Sequence, residues 1–247
     1  MTPTSPRPSS PSTAENDHAA GHPFSPTTEA PTATASLAEQ LRDDLRTRIV
    51  ETRLHPGGLV LEKSIAAEFG VSKTPVREAL QLLAAEGWVT VLPRRGYTVS
   101  TVGFNDIREV MELRRAVEPE IAAAAAACRT PELVADLEDL LRQHVEASSA
   151  PEAVRAAHEF HHRLAASARN RRGRRLLETL WLETERAHRL LPPLAEYIND
   201  ETEHLAHRGL LAAVDSGDPD RARETMRTHL DEAQEAMVNA FLSRHTP

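Results

Sequence analysis

Val71-Ser72-Lys73-Thr74-Pro75-Val76-Arg77-Glu78-Ala79-Leu80-Gln81-Leu82-Leu83 decides how this chain folds. Ser72 stands where a helix begins, and Val76, Ala79, Leu80 and Leu83 recur at three- and four-residue intervals, which puts them on one inward face. Lys73, Arg77 and Gln81 fall at i, i+4 and i+8, a polar stripe on the opposite side. Gly87 ends the helix. Downstream, Val89 and Val91 alternate with polar neighbours, Pro93-Arg94-Arg95-Gly96 supplies a turn, and Tyr97 and Val99 alternate on the return, predicting a two-stranded hairpin. Upstream, Ile65, Ala66 and Phe69 predict a short helix stopped at Gly70, where a left-handed residue is needed. Before the Pro56-Gly57-Gly58 turn, Leu37, Leu41, Leu45 and Ile49 recur every four residues as the stripe of a first helix.

Helix, helix, turn, helix and hairpin is the order of a winged helix-turn-helix. Lys73, Arg77 and Gln81 can then reach base edges or phosphates from a major groove. Ser72 and Thr74 add hydroxyls at a helix start, where free N–H groups favour an anion. Arg94 and Arg95 sit at the hairpin tip beside Gly96, which lets backbone approach phosphate closely. Any one of these is equally well an ordinary solvated side chain; their convergence on two elements points to DNA. Charge is distributed accordingly. Residues 35–101 carry 9 − 8 = +1, against 1 − 3 = −2 for residues 1–34 and 19 − 26 = −7 for residues 102–247. Both lysines, Lys63 and Lys73, lie in that middle segment.

The full chain has 247 residues and a net charge of −8, which excludes a globally basic coat for nucleic acid. The single cysteine, Cys128, excludes an intrachain disulfide framework. No signal peptide opens the sequence and the longest apolar run, Ile121 to Cys128, is too short to cross a bilayer. These features predict a soluble cytoplasmic protein. Residues 1–34 hold seven of the 17 prolines and read as a disordered tail. After Val102 six helical stretches are expected, near 105–128, 131–147, 152–168, 173–191, 199–216 and 219–243. Thr130-Pro131 and Asp218-Pro219 place capping side chains before a proline at the first helical position, and Pro192-Pro193 breaks the fourth stretch from the fifth. The expected architecture is mainly α: a winged helix-turn-helix over 35–102, then an all-α antiparallel bundle over 103–247.

Within the bundle, His161, His207 and His229 lie on the apolar stripes of three different helices. Three converging imidazoles can share a divalent metal; the alternative is that each bonds a backbone carbonyl or a neighbour on its own. Four Glu-x-x-His pairs (Glu15/His18, Glu159/His162, Glu185/His188 and Glu201/His204) raise the alternative of a helical di-metal enzyme, but inward Glu residues on two further helices are not evident. No phosphate loop or nucleophile elbow is present, so catalysis is not expected. A DNA-binding dimer without any ligand is a further alternative.

The run from Val71 to Leu80, with Leu83-Ala84-Ala85-Glu86-Gly87-Trp88 and Pro93-Arg94-Arg95-Gly96, resembles the GntR family of bacterial transcription regulators. The resemblance implies that Lys63, Lys73, Thr74 and Arg77 contact DNA, that the Arg94–Gly96 tip enters the minor groove, and that a homodimer reads an inverted repeat. Asn105-Asp106 with Glu112-Leu113-Arg114-Arg115-Ala116-Val117-Glu118, Phe160-His161-His162-Arg163-Leu164 with Asn170, and His207 leading to Asp215-Ser216-Gly217-Asp218 are similar to the FCD-type effector domain of the FadR subfamily. That likeness implies a Zn, Ni or Mn ion held by one Asp and three His at the floor of a cavity for a small carboxylate. The histidines map onto His161, His207 and His229. The Asp position is Ala157 here, which leaves His158 and His204 as further candidates. Arg114 is the candidate carboxylate clamp, since a guanidinium fork matches two oxygens; its competing partner is Glu118 at i+4. The expected function is repression relieved by the effector.

Overall fold

The computed structural model describes residues 35–243, so the tail over 1–34, with its Glu15/His18 pair, lies outside the described residues. Helix α1 (Leu37–Val50) opens on Ser36, whose hydroxyl accepts from the Glu39 N–H while the Glu39 carboxylate accepts from the Ser36 N–H. That exchange satisfies two amides with no partner inside the helix. Leu41, Leu45 and Ile49 are buried as their spacing predicts, whereas Leu37, in the first turn, is exposed.

Strand β1 (Leu59–Val60) leads into α2 (Glu62–Phe69) and α3 (Lys73–Ala85), and β2 (Val89–Leu92) and β3 (Gly96–Val99) form the hairpin. The sheet is antiparallel with order β1-β3-β2, three strands where the sequence predicts two. A strand of two residues shows no alternation to read, so β1 escapes prediction. Gly96 makes its pairing feasible: a Cβ there would stand 2.8 Å from the Val60 carbonyl oxygen. Leu45, Ile49, Val76, Leu80, Leu83, Trp88 and Tyr97 share one core beneath this sheet.

Seven helices follow: α4 (Phe104–Ala127), α5 (Pro131–Val145), α6 (Ala150–Ser167), α7 (Arg171–Leu190), α8 (Pro192–Tyr197), α9 (Glu201–Asp215) and α10 (Pro219–Ser243). The extra one is α8. Pro192 and Pro193 do end α7, but they also occupy the first positions of α8, where the missing N–H groups would have no helical partner anyway. Thr130 accepts from the Leu133 N–H and Asp218 from the Arg221 N–H, the expected caps of α5 and α10. Helix α7 begins two residues earlier than its sequence suggests, because Asn170 caps it by accepting from the Gly173 N–H. Gly173 therefore lies inside the helix, and a Cβ there would meet Ile121 Cδ1 at 2.9 Å, so its absence lets α7 approach α4. The main bundle core joins Met111, Ala122, Leu137, Phe160, Leu210, Met226 and Leu230 from α4, α5, α6, α9 and α10. Leu182 of α7 packs instead on the winged core, so this one helix belongs to both halves.

Candidate metal centre and nucleic-acid interface

On the winged half, Lys63 of α2 and Ser72, Lys73, Thr74 and Arg77 of α3 are all exposed. Ser72 caps α3 by backbone position without spending its hydroxyl on the helix, which leaves that hydroxyl available to a ligand. Arg77 is not idle: its Nε and Nη2 donate to both carboxylate oxygens of Glu62 at 2.9 and 2.8 Å. This fork holds the guanidinium against the start of α2 and lowers the Glu62 pKa, chiefly through the Arg77 hydrogen bond. An exposed pair of this kind is weak and screened by salt, so a phosphate or guanine edge competes with Glu62 for the same donors. At the hairpin tip Arg94 and Arg95 are exposed, Arg94 holds a left-handed φ of 62°, and the Arg95 N–H closes the turn on the Leu92 carbonyl.

In the helical half, α6, α9 and α10 bring His161, His207 and His229 together, all three buried. His161 Nε2 lies 3.2 Å from His207 Nε2 and 3.2 Å from His229 Nε2. The outer nitrogens explain why. His144 Nε2 must donate to the Ile198 carbonyl at 2.8 Å, since a carbonyl only accepts. Neutral His144, its pKa pushed down to about 4 by burial, then presents a bare Nδ1, 3.3 Å from His207 Nδ1. His207 therefore carries its proton on Nδ1 and turns a bare Nε2 inward. His161 Nδ1 faces Glu118 Oε2 at 2.8 Å, so that ring is set to keep a proton outward too, while His229 Nδ1 stands 3.5 Å from Glu203 Oε2 without a hydrogen bond. Burial, then the neighbouring imidazoles, hold the His207 and His229 pKa values well below the usual range. The inward lone pairs of His161 and His207, 3.2 Å apart, repel one another unless a cation sits between them. The donor set, neutral imidazoles beside buried carboxylates, suits a divalent ion such as Zn, Ni or Mn.

The two acids differ. Glu118 Oε1 accepts from Arg114 Nε at 2.5 Å and from Trp181 Nε1 at 2.9 Å. Burial alone would raise its pKa, but Arg114 and His161 hold it well below the usual carboxylate range. Glu203 makes no ion pair with an arginine or lysine among the described residues; burial pushes its pKa up to about 7, against the smaller opposing pull of the Tyr197 hydroxyl and the Arg114 charge.

Arg114 is thus buried and held by Glu118, with Nη1 3.3 Å from Thr184 Oγ1, as its i+4 partner suggested. It is not a free clamp: Glu118 takes its Nε, and Nη1 lies against Thr184. Ala157 is buried with Ala153, Val154 and Ile198, outside the imidazole trio. Of the spare histidines, His158 pairs with Glu185 at 3.7 Å, and His204 stacks edge-on against His144. Sequence reading missed Glu118 as a partner of His161, and missed Glu203 and His144 altogether. Two signals were present: Glu203 precedes His207 by one helical turn, and His144 continues the buried Leu133, Leu137, Leu141 stripe of α5.

Residues 37–99 match the model of the gntR family of bacterial regulatory proteins, and residues 109–232 match the FCD domain. The chain is 35% identical over 187 residues to an uncharacterised helix-turn-helix regulator from an unstable DNA locus of Streptomyces ambofaciens, covering 75% of this chain and 78% of that one. It is 31% identical over 160 residues to the Nta operon transcriptional regulator of Aminobacter aminovorans, covering 64% and 72%. Among solved structures, Escherichia coli McbR superposes with a TM-score of 0.73 at 23% identity, over 84% of this chain and all of that one, a likeness of fold. These relatives are transcription regulators and not enzymes, which removes the di-metal catalyst alternative. The chain belongs to the GntR family of bacterial transcription regulators, in the FadR-like group that joins a winged DNA-binding domain to an FCD domain.

Proposed function

We propose that the protein is a cytoplasmic repressor that binds an inverted-repeat operator as a homodimer and releases it when a small carboxylate enters the helical domain. Lys63, Ser72, Lys73, Thr74 and Arg77 serve the major groove and its phosphates, and Arg94, Arg95 and Gly96 serve the minor groove. His161, His207 and His229 hold a divalent metal, which when bound offers a Lewis-acidic anchor for a carboxylate oxygen. Relatives named as the gluconate operon repressor of Bacillus licheniformis and the Nta operon regulator support a role in local operon control.

Helix α7 carries the coupling. Near its middle, Trp181 Nε1 donates to Glu118 and Thr184 contacts Arg114, so the helix reads the buried polar centre. One face away, Leu182 packs into the winged core, and Arg186 donates to the Ser100 carbonyl and lies over the Trp88 ring at 5.9 Å. Arg186 is 3% exposed, and burial lowers its pKa, so this contact is desolvated and directional. Any exchange of Glu118 for an effector carboxylate at Arg114 moves both α7 contacts, and through them the bond to the wing. An effector shifts DNA affinity only by its differential affinity for the two arrangements.

Calorimetric titration of small carboxylic acids into the metal-loaded protein, with and without a duplex from its own upstream region, tests this. The expected result is an acid whose affinity drops in the presence of duplex, and a smaller drop in Arg186→Met. Equal affinity in both conditions for every acid that binds would leave the ligand-independent dimer as the correct reading.

A further inference from the structure

The FCD likeness calls for an acid four residues before His161, and this chain has Ala157 there, packed among small apolar side chains. The geometry points to Glu203 of α9 as the residue that supplies the missing anionic ligand, an inference that rests on the metal reading proposed above. Glu203 precedes His207 by one turn, which places its carboxylate on the same helical face. Its Oε1 lies 3.6 Å from His207 Nε2, the nitrogen turned toward the centre of the trio. Two ligand atoms about 2.1 Å from one tetrahedral ion stand about 3.4 Å apart, so this one edge has the length of a coordination edge; the three histidines alone have their ligand atoms mutually close, and the Glu203 carboxylate has to swing inward to join them.

The electrostatics separate Glu203 from the other acid nearby. The charge of Glu118 is answered by the Arg114 guanidinium and the Trp181 indole N–H, with His161 Nδ1 at 2.8 Å from its second oxygen. Glu118 is therefore placed to orient His161 from outside, as carboxylates behind metal-bound imidazoles do. Glu203 is 4% exposed and makes no ion pair with an arginine or lysine among the described residues; only the Tyr197 hydroxyl and the more distant Arg114 charge ease its burial. A buried carboxylate with no ion-pair partner is costly. Beside His161 and His207, whose inner nitrogens are bare, a divalent cation answers both defects. Moving the acid from α6 to α9 also leaves the α6 position free for the alanine that packs against Ile198.

The test is cobalt binding by the full-length, untagged protein after removal of metal with a chelator. Co(II) absorption in the visible region reports ligand type and coordination number, and competition with a chelator gives affinity. Glu203→Gln keeps the shape and removes a buried charge, so the apo fold is retained; cobalt affinity should fall by at least about tenfold and the absorption bands should shift. Glu203→Asp, which keeps the charge on a shorter arm, should shift the bands with a smaller loss. Adding Ala157→Asp to Glu203→Gln should restore affinity by returning an acid to α6. Wild-type affinity and an unchanged spectrum in Glu203→Gln would overturn the assignment of Glu203 while leaving the three-histidine site standing. Failure of the wild-type protein to bind cobalt would overturn the metal reading itself, and this assignment with it.

Discussion

Glu118→Ala is the substitution whose consequence the structure sizes best. Arg114 and Glu118 have side chains only 5% and 2% exposed, and one Glu118 oxygen serves both the Arg114 Nε and the Trp181 indole. Removing the carboxylate strands a guanidinium in the bundle, a loss of roughly 3–5 kcal/mol for a broken buried pair. The indole N–H loses its acceptor as well, adding about 1 kcal/mol. A total of roughly 4–6 kcal/mol corresponds to a fall of roughly 8–24 °C in Tm for a chain of this size. The double variant Arg114→Met/Glu118→Ala removes the stranded charge and should return about 3 kcal/mol of that loss, since the intact pair itself carries little net stability. Urea unfolding followed by Trp181 fluorescence in a Trp88→Phe background reports on this region directly, because Trp181 touches Glu118. A loss below about 1 kcal/mol in Glu118→Ala, or a double variant no more stable than the single, would refute the reasoning.

Arg77→Ala should weaken binding to the protein's own upstream duplex by about 1–3 kcal/mol, roughly 5- to 150-fold, as measured by fluorescence anisotropy; unchanged affinity would remove Arg77 from the interface. His161→Ala should abolish stoichiometric metal in elemental analysis of untagged protein, and retention of full occupancy would show that the trio is not the site. Stability should also fall in acid. His188 is buried with its pKa pushed down to about 4 by burial, while in the unfolded chain it titrates near 6.5. Between those values the unfolded state binds the extra proton, so the His188 contribution to stability is complete above about pH 6.5 and about 3 kcal/mol of it is lost on descent to about pH 4, alongside the loss from the similarly depressed His144. In urea midpoints measured across that window, His188→Gln should flatten this part of the decline; a slope identical to wild type would assign the acid sensitivity elsewhere.

The winged half was almost fully legible because its signals are local. The Val76, Ala79, Leu80, Leu83 stripe, Gly70 and the Pro93–Gly96 turn each declare a conformation within a few residues. Strand β1 was hidden because its pairing with β3 depends on a glycine 36 residues after Val60. In the bundle, the three inward histidines were readable from periodicity, but what surrounds them was not. Glu118 looked like a surface partner of Arg114, and only the approach of α6 and α7 to α4 turns that pair into a buried hub with His161 and Trp181. Pro192-Pro193 reads as a break because proline removes donors; at a helix start that same absence is harmless, and α8 forms. The coupling role of α7 depends on two opposite faces meeting two different cores, a fact of packing that its own sequence does not encode.

On the proposed reading the winged end, with its cations on α2, α3 and the hairpin tip, grips duplex DNA through phosphates. The direct measurement is anisotropy of a labelled duplex from the upstream region, titrated with the full-length protein between 50 and 200 mM salt. With Lys63, Lys73, Arg77, Arg94 and Arg95 contributed by each of two subunits, about six to ten phosphate contacts are available, so affinity should fall by about 10³–10⁵ across that range. A duplex that is not bound, or is bound with an affinity indifferent to salt, would contradict the account.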